Sequence, residues 1–178
     1  SALDNNSRIF NVDQTSDGST FSGMTLTGGR GINDNETGGA IHSQSTLTLA
    51  DMTLSGNSTG GRAGRGGGIY TTGNLTLTDT TISDNRTEFE ASNGGGIHAT
   101  SGTSLYITDS TISGNSLDWH DSWGGGIYGD TIVITGSTIS GNSTSGFHSA
   151  GGGGIYGKTV SLANSTVSGN STSGQISL

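Results

Sequence analysis

Short runs in which apolar and hydroxyl residues alternate return along this chain at a nearly constant distance. In Leu75-Thr76-Leu77-Thr78 and Thr81-Ile82-Ser83 the apolar side chains fall on one face of an extended segment, and Ile69, between Gly68 and Tyr70, opens a third run of the same kind. The order is kept throughout: a glycine run closed by Ile, an alternating Leu-x-Leu or Ile-x-Ile stretch, then Thr-Ile-Ser-Gly-Asn or a variant of it. The glycine runs end at Ile41, Ile69, Ile97, Ile127 and Ile155, spaced 28, 28, 30 and 28 residues. A second mark agrees, since Leu26, Leu54, Ile82, Ile112, Ile139 and Val167 follow one another at 28, 28, 30, 27 and 28. Self-similarity at a fixed period announces a stacked array.

No window shows helical spacing, and 34 glycines in 178 residues would penalise a helix by roughly 1 kcal/mol at each interior position. A unit with about four inward apolar side chains cannot bury them alone and must stack on its neighbours. The pattern therefore predicts an all-β fold, a single-stranded parallel solenoid of about six turns of roughly 28 residues with three strands per turn. Ile41, Ile69, Ile97, Ile127 and Ile155 form one inward column. Leu47/Leu49, Leu75/Leu77, Leu105/Ile107, Ile132/Ile134 and Val160/Leu162 form a second wall, and Leu54, Ile82, Ile112, Ile139 and Val167 a third.

The length fits one domain over residues 1–178, with 1–19 leading in, 20–175 carrying the repeats and 176–178 an open end. Neither end reads as a capping helix, so we expect a piece of a longer protein, or ends that pair with other copies. Hydrophobic residues make up only 28%. That would suggest disorder in an ordinary domain, but a solenoid core is a narrow column. The net charge of −8 argues against nucleic-acid and anionic-membrane partners. No apolar run approaches the roughly 18 residues of a membrane span. Cysteine is absent, which leaves redox compartment unreadable and removes thiolate metal sites.

The string GGGIYTTGNLTLTDTTISDN, from Gly66 to Asn85, and its variants over residues 20–175 resemble the repeat of bacterial secreted and surface right-handed β-helix proteins. These are the polymorphic outer-membrane-protein and adhesin-like group, related in architecture to pectate lyases. The opening from Leu3 to Val12 resembles the segment that leads into such arrays. The resemblance implies a right-handed coil, which spacing alone does not show.

Several residues carry candidate chemistry. The position after each inward Ile points outward and reads His42, Tyr70, His98, Tyr128 and Tyr156, an aromatic strip with rungs about 4.8 Å apart that could hold sugar rings or a partner protein, or merely stabilise in-register strands. Gln44, Thr72, Thr100, Asp130 and Lys158 flank it on the same face. Between each ladder Asn and the next glycine run the repeat breaks down, and the unusual residues gather there: Trp119 and Trp123 with Asp118, His120 and Asp121, Phe89 between Glu88 and Glu90, Phe147 before His148, and Arg62 with Arg65. Loops on one edge of a repeat scaffold are where binding surfaces are built. The tryptophans could instead shield the core.

The competing reading is a polysaccharide lyase or glycoside hydrolase on the same scaffold, with Glu88, Asp118, His98 and Tyr128 as its machinery and Arg65 for a substrate carboxylate. Nothing marks a nucleophile beside a base, so binding without catalysis is preferred. Asp51, Asp79 and Asp109 stack at one corner as a weak metal candidate, although Asp more often caps a turn there. No phosphate loop occurs and no cofactor is expected. Asn57, Asn85, Asn115, Asn142 and Asn170 read as a structural column, suited to a left-handed bend and to amide stacking. The outward Thr-x-Ser rows resemble arrays of ice-binding solenoids, but hydroxyl residues are also good strand formers. The sequence thus points to an extracellular or cell-surface solenoid that binds a glycan or a host or partner protein, inserts in no membrane and can associate end to end. Ice binding and a purely structural stalk are minor alternatives.

Overall fold

The computed structural model describes residues 7–14, 18–31, 36–89, 92–119, 121–147 and 150–175. Every strand in them pairs in parallel with the strand one repeat away, like residue on like residue, as in Ile41 on Ile69, Leu75 on Leu105 and Ile82 on Ile112. The chain is a parallel β-solenoid. Its first sheet stacks both the Ile runs and the Leu-x-Leu runs. These are separate strands in the early rungs, such as Ile69–Thr71 and Leu75–Thr78, and single nine-residue strands in Ile127–Thr135 and Ile155–Ala163. The second sheet is six strands deep, from Thr25–Thr27 through Thr81–Ser83 to Thr166–Ser168. A third, also six deep, has two-residue strands in its first four rungs, as in Ser58–Thr59 and Arg86–Thr87, and five-residue strands in Ser143–Phe147 and Ser171–Gln175. The two-residue strands are too short to show alternation.

The three expected walls line the interior. The Ile column is fully enclosed from Ile41 to Ile127, as are the Leu-x-Leu pairs from Leu47 to Ile134 and the third wall from Leu54 to Ile139. Burying each such side chain contributes about 1.5 to 3 kcal/mol. The expectation is met less fully in the last described rung, where Ile155 is half-buried and Val160, Leu162 and Val167 are 40, 48 and 49% exposed. They have no described rung above them. In the first rung Phe10 and Phe21 stack with centroids 4.8 Å apart and pack, with Met24, against the core.

Backbone handedness at the corners explains the glycines and several aspartates. Gly66 has φ of +65°, and a Cβ there would lie 2.0 Å from the carbonyl oxygen of Ile69, so both conformation and space demand glycine. Asp51, Asp79 and Asp109 turn one corner with φ of 52, 48 and 47°, a position that Gly136 and Asn164 fill in the next rungs. At the corner before the Asn column the left-handed residue is Gly56, Asp84, Gly114, Gly141 or Gly169. This corrects one expectation: the left-handed bend belongs to the residue before each Asn, and the Asn itself is free to point inward.

The Asn column is a buried amide ladder. Asn115 donates from Nδ2 to the Ile82 carbonyl and to Oδ1 of Asn142, 3.0 and 2.9 Å, while its own Oδ1 accepts from the backbone N–H and Nδ2 of Asn85, both at 3.0 Å. The same bonds recur from Asn57 to Asn170, and Gly29 N–H closes the first end on Asn57 Oδ1 at 2.9 Å. Beside it the inward hydroxyls of Thr59, Thr87 and Thr144 are buried and make no hydrogen bond.

Candidate functional site

The column after the inward Ile is a continuous stack of rings. Centroid distances run 5.1 Å for His42–Tyr70, 5.3 Å for Tyr70–His98, 4.7 Å for His98–Tyr128 and 5.4 Å for Tyr128–Tyr156, with planes 29, 13, 9 and 4° apart. It is not the open strip the sequence suggested. Residues five places earlier, Thr37, Arg65, Asn93 and Trp123, bridge one another in parallel and form a shoulder beside the rings. From that shoulder Thr37 Oγ1 reaches Nδ1 of His42 at 2.7 Å.

As a result His98 is only 4% exposed, and Tyr70 and Tyr128 are half-buried. Burial pushes the His98 imidazole down to about 3, the Arg65 guanidinium acts in the same direction, and the Asn93 backbone opposes them weakly. His42 is lowered too, by burial and then Arg8, against the Thr37 backbone and Asp13. Only Tyr156, in the last described rung, is substantially open. Of the flanking polar groups, Asp130 accepts from Gly102 N–H and from Lys158, which hold its carboxyl below the usual range.

The two tryptophans part company. Trp123 lies in the short strand Ser122–Trp123, which pairs with Ala150–Gly151. Its indole crosses Gly151, where a Cβ would come within 2.9 Å of Cδ1, and tilts at 43° onto Tyr156. Trp123 is therefore half-buried packing rather than the open ring expected of it. Trp119 is 45% exposed and lies parallel, within 5°, to Phe89, itself 41% exposed, with centroids 6.4 Å apart. The Phe89 carbonyl accepts from the Ser92 hydroxyl, which fixes its turn. His120, Glu90 and His148 lie outside the described residues. Phe147 closes the strand Ser143–Phe147, and its ring likewise lies outside what is described.

Beside the Phe89–Trp119 pair stand Glu88 and Asp118. Arg86, which the sequence reading passed over, lies between them: its Nε pairs with Asp118 at 2.5 Å, and its Nη1 stands 4.0 Å from Glu88. The signal was present, because Arg86 occupies a column that is Ser at 58, 116, 143 and 171 and Arg only at 30 besides. Tyr106, exposed on the outer face of the second run, was also missed. Of the residues cast as enzyme machinery, Glu88 and Asp118 thus flank one guanidinium within the variable stretches, while His98 and Tyr128 lie in the ring stack that follows. Asp51, Asp79 and Asp109 are exposed at successive rungs, and among the described residues no three His, Cys, Asp or Glu side chains converge on a metal site.

A family model described as the right-handed β-helix region matches residues 9–177. The chain belongs to the right-handed β-helix family. Within it, none of the curated proteins compared with this chain is a match, and none of the solved structures is. No helix in the described part of this β-helix is long and apolar enough to cross a membrane.

Proposed function

We propose that this β-helix is a non-catalytic, adhesin-like recognition module, extracellular or displayed at a cell surface, that binds a glycan along its variable edge. The observation that supports it is the Phe89–Trp119 pair, two parallel, exposed rings on the stretch where the repeat is abandoned. Exposed aromatic rings on a rigid scaffold are typical of contact surfaces for apolar ligand faces. Against turnover weighs the engagement of Glu88 and Asp118 by Arg86, which leaves neither carboxylate isolated for acid or base work.

A glycan array run beside an activity screen on neutral and acidic polysaccharides tests this reading. Retention of one glycan class with no cleavage is the expected outcome. Cleavage that disappears in Glu88→Gln or Asp118→Asn would replace it with an enzyme. Retention of a protein partner alone would move the edge from glycan to protein recognition.

A further inference from the structure

At the variable edge two neighbouring rungs carry a carboxylate followed by an aromatic ring at the same two places. Arg86 pairs with Ser116 and Thr87 with Leu117, so Glu88 stands level with Asp118 and Phe89 with Trp119, one rung apart. In the rungs on either side the same two places are Gly60-Gly61 and Ser145-Gly146. At these two places carboxylate and ring therefore occur together in the two rungs and in neither neighbour, which a purely structural rung would not need.

Arg86 offsets one of the two carboxylate charges. A guanidinium between two carboxylates sums to one negative charge, and all three side chains remain partly open, 51% for Arg86, 28% for Glu88 and 33% for Asp118. The cluster presents carboxylate oxygens as acceptors and the remaining guanidinium N–H groups as donors beside two apolar rings. Resting on the glycan-binding reading above, we propose that Phe89, Trp119, Arg86, Glu88 and Asp118 form one subsite for an uncharged pyranose. The C–H face of the sugar lies on the rings, its hydroxyls donate to Glu88 and Asp118, and a ring or hydroxyl oxygen accepts from Arg86. An acidic sugar is disfavoured. Its carboxylate meets a net negative cluster and gains Arg86 only by displacing Asp118, which would leave that carboxylate unpaired.

The test titrates the whole chain with maltohexaose, cellohexaose and mannohexaose, and with trigalacturonate and sialyllactose as the acidic arm. It follows the Trp119 indole N–H and Arg86 Nε–H by NMR, with affinities by calorimetry. A neutral hexaose should shift both signals, and Trp119→Ala and Arg86→Met should each weaken it tenfold or more with melting temperature little changed. Glu88→Gln, which keeps the shape, provides a second variant and should weaken binding as well. Acidic glycans binding as tightly at these signals, or neutral binding that survives all three substitutions, would overturn this subsite and leave glycan recognition standing. A folded protein that binds neither arm would overturn both.

Discussion

The imidazole of His98 lies 4.7 Å from the ring of Tyr128, centroid to centroid, with the planes 9° from parallel. Enclosed there, it titrates near 3 in the folded protein against 6.5 in the unfolded chain. Between those values the unfolded chain binds more protons, so stability falls as pH drops through the window, by up to about 1.4 kcal/mol per pH unit. The contribution of neutral His98 is complete above its unfolded value. His98→Phe keeps a ring in the stack and removes the titration. Urea midpoints measured at pH 7 and pH 4.5 should differ less in the variant than in the wild type, and an unchanged difference would show that other groups set the acid response.

The amide ladder predicts unequal costs along its length. Asn115→Ala removes two donated bonds and strands the two donors of Asn85 below it, a loss of about 3 kcal/mol or more. Asn170→Ala acts at the last described rung and should cost less. Equilibrium denaturation of the two variants compares them directly.

Thr87→Val should stabilise the protein. The hydroxyl is buried without a hydrogen-bond partner, and replacing it with a methyl group of similar volume recovers about 1 kcal/mol. A lower melting temperature would mean that ordered water serves that hydroxyl.

Trp119→Ala and Trp123→Ala should separate binding from stability. The first removes an exposed ring and should leave the melting temperature near wild type while glycan retention falls. The second uncovers Gly151 and Tyr156 and should cost about 2 kcal/mol. Equal destabilisation by both would put Trp119 in the packing too.

The inward columns were legible because a period of 28 and an alternation of two leave one arrangement that buries Ile69, Leu75, Leu77 and Ile82 together. The ring column was legible as a column but not as a surface. Whether His98 sees water depends on Arg65, Asn93 and Trp123, which lie in the stretches that do not repeat, so no periodic argument reaches them. The same holds for Trp123, whose place is set by the absence of a side chain at Gly151. Arg86 was readable as one of two arginines, with Arg30, in a column otherwise of serine, but its role required knowing that Glu88 and Asp118 are level. The third sheet escaped because in four of its six rungs it is two residues long, and two residues cannot display an alternation.

Each ladder amide donates toward the C-terminal neighbour and accepts from the N-terminal one. Their dipoles therefore align head to tail and polarise one another along the axis. The solenoid has an electrical direction as well as a chain direction. A whole rung can be added or removed and the row heals, and the row also runs unbroken across rungs of 30 and 27 residues, whereas a rung running backwards would set donor against donor. Growth by duplication of complete units in one direction is the mode of change that this vector permits, and the variable corner, lying off the row, is where the sequence can vary without interrupting it.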